Sequence, residues 1–175
     1  MSAFAIRAFG RDDVQANIEA LGDMMHACVH AGASIGYILP YSREDGIAFW
    51  REKVSPRLDG GNLILLVAHA GERIAGAVQL DYDTPPNQPH RAEVRKLMVD
   101  PSFRRRGLAR LLMAGIEARA RTLGRSLLTL DTRTGDHAQP LYESIGYRVS
   151  GIIPGYCLDP FKREFDSTTI MFKQL

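Results

Sequence analysis

Arg104, Arg105 and Arg106 run straight into Gly107-Leu108-Ala109, and apolar residues then recur at 108, 111, 112 and 116 with helical spacing. A helix start leaves about four backbone N–H groups without intrahelical partners and carries roughly half a positive charge. Gly107 and Ala109 place little or no side chain over those groups, so a large anion can lie on bare backbone with the arginines beside it. The pattern reads as a cradle for a diphosphate. It lacks the Gly-Lys-Ser/Thr of a triphosphate loop and does not follow the two-glycine dinucleotide fingerprint. Two carboxylates, Glu93 and Asp131, sit in runs that are otherwise apolar. Each must be paired or hydrated there. Glu93 either pairs with Arg91 or Arg95 or serves as a general base; Asp131 either caps the following turn or serves likewise.

The elements that must position these groups follow from periodicity and turn chemistry. Residues 4–9 alternate weakly and predict a strand, after which Asp12 or Asp13 caps a helix to about residue 31. Residues 31–40 are glycine-bearing yet apolar, a shaped loop rather than a linker. Ser42 starts a second helix that runs through Trp50 towards Leu58. Residues 63–68 and 74–81 make a hairpin around Ala70-Gly71-Glu72-Arg73. After a turn at 84–89 come a strand at 92–99, the helix from 107 to 124 and a strand at 127–131. A helix at 137–144 and strands at 147–153 and 168–172 complete the order. The length of 175 residues suits one domain over 1–175 with a sizeable core.

Composition narrows the functions. A net charge of +2 without a basic tail argues against nucleic acid as a partner. No apolar run approaches a membrane span and no leader opens the chain, so the expected location is cytoplasmic. Cys28 and Cys157 stand apart without a Cys-x-x-Cys pair and read as free thiols in a reducing compartment. The 5 histidines lack metal-ligand spacing, and no metal is expected.

The spacing Arg104-x-x-Gly107-x-Ala109 resembles the acyl-CoA diphosphate motif of the GNAT superfamily of N-acetyltransferases. Ala138-x-x-Leu141-Tyr142-x-x-x-Gly146-Tyr147 is similar to that superfamily's next signature, which flanks the thiol end of CoA. The resemblance implies an α/β fold with a mixed central sheet, splayed parallel strands and helices on both faces. It also implies acetyl-CoA as cosubstrate, held at Arg104, Arg105, Arg106, Gly107, Leu108 and Ala109. Backbone groups of Leu97, Met98 and Val99 would pair with the pantetheine arm, and one N–H would polarise the thioester carbonyl. Tyr142 would then stand at the sulfur as general acid, the alternative being a core tyrosine.

Further runs, Gly32-Ala33-Ser34-Ile35-Gly36, Arg91-Ala92-Glu93-Val94, Leu130-Asp131-Thr132 and Pro154-Gly155-Tyr156-Cys157, resemble the tabtoxin-resistance acetyltransferases, which act on a β-lactam amino-acid toxin. That resemblance implies Glu93 and Asp131 as a base acting through water, Tyr142 as acid, a small-molecule amine acceptor (hence antibiotic resistance) and a homodimer. Ala109 and Gly135 depart from the commoner glycine and asparagine of the superfamily, and the loop at 36–41 departs from the toxin-resistance pattern. Ser34, Tyr37, Tyr41 and Tyr156 are the expected acceptor contacts, with Trp50 either beside them or in the core. The competing readings are a protein or peptide amine acceptor and an acyl-CoA sensor without turnover.

Overall fold

The computed structural model describes residues 4–175. Its strands form one seven-stranded sheet in the order β1-β2-β3-β4-β5-β7-β6. These are β1 Ala5–Phe9, β2 Leu63–Ala70, β3 Arg73–Asp81, β4 Arg91–Val99, β5 Leu127–Arg133, β6 Arg148–Leu158 and β7 Phe165–Gln174. Helices α1 (Arg11–Ala16), α2 (Ile18–His30) and α3 (Arg43–Ala48) cover one face, and α4 (Leu108–Thr122) and α5 (Ala138–Ser144) the other. Alternation along β2 feeds both layers: Leu63, Leu65 and Val67 enter the α2 core while Leu66 and Ala68 enter the α4 core. A mixed sheet with helices on both faces is therefore what the sequence pattern builds.

Only β4 and β5 run parallel, and they pair over a short stretch: Arg91 with Leu127, Ala92 with Leu128 and Glu93 with Thr129. Beyond Glu93 the two strands part. The cause lies in β4. Between Arg95 and Met98 its register against β3 slips, and Lys96 takes a left-handed φ of 51°. An extra residue of this kind bends its strand and re-aims the side chains after it. Ala92 and Val94 face the α4 core; after the bulge Leu97 and Val99 pack there while Met98 enters the α2 core. The bulge thus opens a gap in the sheet and keeps both layers filled.

Several elements differ from the sequence reading. The long first helix is two, broken at Asn17, and its cap is Gly10; Asp13 instead reaches back to accept from the Gly10 N–H at 3.0 Å. Ser42 does cap α3, accepting from the Asp45 N–H at 3.0 Å. That helix then widens into a π turn at Phe49–Val54, where Trp50 is fully buried and donates to the Leu21 carbonyl at 2.9 Å. Trp50 is core. β5 runs two residues past Asp131, and β6 is longer than expected, ending at Leu158.

Candidate active site

The helix expected after Gly107 begins where the sequence puts it. Gly107 takes a left-handed φ of 79° as the cap of α4, with no side chain capping the first turn. The first intrahelical bond comes from the Leu111 N–H to the Gly107 carbonyl at 3.1 Å, so the amides of Leu108, Ala109 and Arg110 lie in the uncapped first turn. A Cβ built on Gly107 would meet nothing within 4 Å, so the space over the turn is open. Arg105 is also left-handed, at φ 59°. Such alternation turns successive amides into one concavity, which offsets the roughly 1–2 kcal/mol that a non-glycine residue loses there once an anion is bound. Arg104, Arg105 and Arg106 are exposed, whereas the Leu108 side chain is buried, leaving only its backbone to contribute. Arg106 lies over the Phe103 ring at 5.7 Å, and Arg104 folds back to donate to the Val99 carbonyl at 3.4 Å.

Beyond Glu93 the edge of β4 that faces β5 has no strand partner, and Leu97, Met98 and Val99 lie on it. The Val99 carbonyl is already engaged by Arg104 and by the Cys28 thiol at 3.5 Å. The expectation of backbone pairing is thereby narrowed to the remaining groups of this stretch. Burial pushes the Cys28 thiol up to about 12, so it stays a neutral donor.

Glu93 and Asp131 share the α2 face of the sheet, one on each side of the gap, because Arg91, Glu93 and Arg95 alternate along β4 as Thr129, Asp131 and Arg133 do along β5. Of the two arginines proposed to neutralise Glu93, Arg91 is committed elsewhere, while Arg95 keeps a long ion pair with Glu93 but binds Asp81 more closely. Arg95 donates to Asp81 at 2.9 Å and comes within only 3.9 Å of Glu93; Arg91 donates to Gln88 at 2.8 Å and Thr129 at 3.2 Å. Asp81 also takes a two-pronged bond from Arg57, and these donors overcome its burial to hold it below the usual carboxylate range. Glu93 shows the opposite. Burial first, eased by Arg95 but reinforced by the charges of Asp131 and Asp81, raises its carboxyl above the ordinary value. Asp131 caps no turn: it sits inside β5, is exposed, and accepts from the Thr168 hydroxyl at 3.3 Å.

Tyr142, on α5, packs into the core on the opposite, α4 face of the sheet. It is 6% exposed, its ring 5.8 Å from that of Tyr147, and no protein partner to its hydroxyl occurs among the described residues. Burial and the Asp131 charge raise its pKa above that of a free phenol. The Asp131 charge is thus felt by both Glu93 and Tyr142.

The acceptor contacts divide. Ser34 and Tyr37 are half-buried on the loop, with Ser34 Oγ 3.9 Å from Cys157 Sγ, and Tyr156 is half exposed on β6. Tyr41 corrects the expectation: it is 6% exposed, packed in the α2 core with its ring 5.0 Å from that of Tyr37, and so does not line an open pocket. Missing from the sequence reading is Lys96, whose Nζ donates to the Ile35 carbonyl at 2.6 Å and lies 5.8 Å from the Tyr37 ring. A cavity of about 490 Å³ lies beside the loop, walled by Ile38, Leu39, Pro40, Leu158, Pro160 and Phe161 with the charged Asp159 and Arg163, and neither Glu93 nor Asp131 lines it. Among the described residues no metal-binding group of His, Cys, Asp or Glu forms, and no helix is long and apolar enough to cross a membrane.

Residues 38–152 match the family model described as Acetyltransferase (GNAT) domain. An uncharacterized N-acetyltransferase in the hisH-hisA intergenic region of Azospirillum brasilense is 33% identical over 127 residues, 71% of this chain and 73% of that protein. The GCN5-related N-acetyltransferase from Kribbella flavida superposes with a TM-score of 0.78 at 22% identity, covering 99% of this chain and 98% of the other. A structure from Salmonella typhimurium, solved with its cofactor acetyl-CoA, gives a TM-score of 0.76 at 19% identity over 99% and 94%.

Proposed function

The chain belongs to the GNAT acetyltransferase family, and on that premise we propose that it moves the acetyl group of acetyl-CoA onto the amine of a small zwitterion, an amino acid or an amino-acid-like antimetabolite. The observation that carries this reading is the strand gap with Glu93 and Asp131 on one face, Tyr142 on the other side and the bare turn of α4 beyond it. The two carboxylates on that face offer negative charge to the ammonium group of such a molecule. The two free thiols, Cys28 and Cys157, fit a reducing, cytoplasmic setting. The expectation of antibiotic resistance rests on the likeness of the acceptor-side runs to the toxin-resistance pattern.

In this mechanism the α4 turn holds the diphosphate and the free edge of β4 lies along the pantetheine arm. Glu93, poised above the ordinary carboxylate range, takes the ammonium proton through water that Asp131 helps to hold. The free amine attacks the thioester carbonyl, and the C–N bond forms as a β4 backbone N–H stabilises the oxyanion. When the C–S bond breaks, Tyr142 hydrogen-bonds the departing thiolate, and the second proton, shed by the nitrogen as it becomes an amide, passes through water to that thiolate. Burial and Asp131 keep the Tyr142 hydroxyl protonated. They also make a tyrosinate there unfavourable, so Tyr142 serves chiefly as a hydrogen-bond donor to the thiolate.

CoA release, followed with a thiol reagent, tests the reading against free amino acids, their β-lactam analogues, histone-like peptides and an amine-free control. Amino-acid-dependent release with little response to peptides is expected. Efficient reaction with peptides alone would replace the acceptor class. Tight acetyl-CoA binding without release for any amine would make the protein a sensor.

A further inference from the structure

Two cations that the mechanism does not use reach out of the two splayed strands and end on one loop. From β4, Lys96 donates to the Ile35 carbonyl at 2.6 Å, close enough to residue 36 that a Cβ on Gly36 would sit 3.1 Å from its Nζ. From β5, Arg133 donates to the Gly32 carbonyl at 3.3 Å. The segment between these two carbonyls, residues 32–35, is therefore tied to β5 at one end and to β4 at the other, bridging the strands where they have parted.

The ties are built, not incidental. Arg133 is only 21% exposed and is itself fixed by Asp159 at 3.3 Å, Asp136 at 3.4 Å and Asp166 at 3.7 Å. The Phe161 ring closes on Gly32 so tightly that a Cβ there would lie 2.7 Å from it, and the Leu39 N–H donates to the Pro160 carbonyl at 3.3 Å. The Lys96 ammonium is held by the bulge, whose left-handed backbone aims it across the gap. Burial lowers its pKa, yet its nearest hydrogen-bonding partner is a neutral carbonyl rather than a carboxylate.

We propose that Lys96 and Arg133 are positioning residues that strap the 31–41 loop across the splayed strands and thereby set the size of acceptor the site admits. The inference rests on the reading that this loop faces the acceptor. Lifting the loop breaks charge-assisted bonds at both lips of the gap, so its height over Glu93 and Asp131 is fixed before any amine arrives.

Lys96→Met keeps the stem and removes the donor; Lys96→Arg restores one; Arg133→Lys keeps the charge among the three aspartates but loses the fork. In Lys96→Met, hydrogen exchange at residues 32–41 should quicken by about tenfold or more, since a bond to a charged group is lost. Acetyl-CoA affinity by calorimetry should stay within about twofold. For any amine of the panel that reacts, KM should rise about tenfold with kcat changed far less, and bulkier amines should gain relative to small ones. Lys96→Arg should recover most of the protection and the KM. Unaltered exchange in the loop would overturn the strap, as would a loss of acetyl-CoA affinity as large as the change in KM. Because exchange needs no acceptor, a loosened loop in an enzyme that acetylates no amine would uphold the ties and sink the acceptor reading instead. If Arg133→Lys does not fold, Lys96→Met decides alone.

Discussion

The turn at 104–109 and the loop at 31–41 flank the same strand gap, yet they are held by different means. The turn is local: Arg105 and Gly107 set their own left-handed backbone, and the amides of the next residues point outward with no side chain over them. The loop is remote-controlled. Its contacts come from Lys96, 61 residues away, from Arg133, 101 residues away, and from the Phe161 ring. A diphosphate is the same in every acetyl-CoA, so a rigid local device suffices for it. On the proposed acceptor role of the loop, its pocket must differ from enzyme to enzyme, and side chains borrowed from distant strands can be changed without disturbing the backbone they hold.

The sharpest way to break this comparison is to fill the turn. Gly107→Asp places a side chain and a negative charge over the open amides, in a left-handed conformation that favours glycine. Acetyl-CoA binding should vanish from calorimetry while the melting temperature changes modestly. Gly107→Asn, neutral and tolerant of that backbone, should weaken binding by about tenfold or more from bulk alone. Normal affinity in both would show that the turn is not the cradle.

This local device was legible in the sequence because every part of it lies within six consecutive residues. The bulge that opens the gap was not read from the sequence: apolar residues alternate at 92 and 94, but 97, 98 and 99 are all apolar, and such a run does not declare which side chain changes face. The strap was not legible. Its donors are ordinary basic residues in strands, and their acceptors are backbone carbonyls, which leave no mark in a sequence. Tyr41 was misjudged for a related reason. An aromatic residue beside a loop looks the same whether it faces solvent or, as Tyr41 does, packs against Tyr37 inside the α2 core.

Tyr142 stands between the two regions, and its removal should cost less than loss of the cradle. Tyr142→Phe keeps the ring against Tyr147 and the core, so folding and acetyl-CoA affinity should survive. The thiolate loses its donor, and kcat should fall by roughly two to three decades, as for one donor to a developing anion. Full turnover with normal folding would reduce Tyr142 to packing and leave the thiolate to be met by water.

The smallest expected effects lie with the carboxylates, and they test whether the acceptor side acts as a unit. If Glu93 and Asp131 share one water, Glu93→Gln and Asp131→Asn should each slow turnover by about one to two decades, and the double variant by much less than the product. Multiplicative losses would mean separate roles. The pH dependence adds a second check. A base must be ionised to act, so kcat/KM should rise with pH through a value above the ordinary carboxylate range, and that limb should disappear in Glu93→Gln. The sign for stability is opposite. A carboxyl whose pKa is raised on folding binds its proton more tightly in the native state, so native stability declines as pH climbs from the ordinary carboxylate pKa to the raised one. Glu93→Gln removes that penalty and should melt no lower than the native protein at neutral pH. Its advantage should shrink as the pH falls into the ordinary carboxylate range. A variant that instead melts well below the native protein at neutral pH would mean that the Arg95 contact at 3.9 Å stabilises the ionised glutamate after all, and Glu93 would belong with Asp81 as a structural carboxylate rather than with Asp131 as a base.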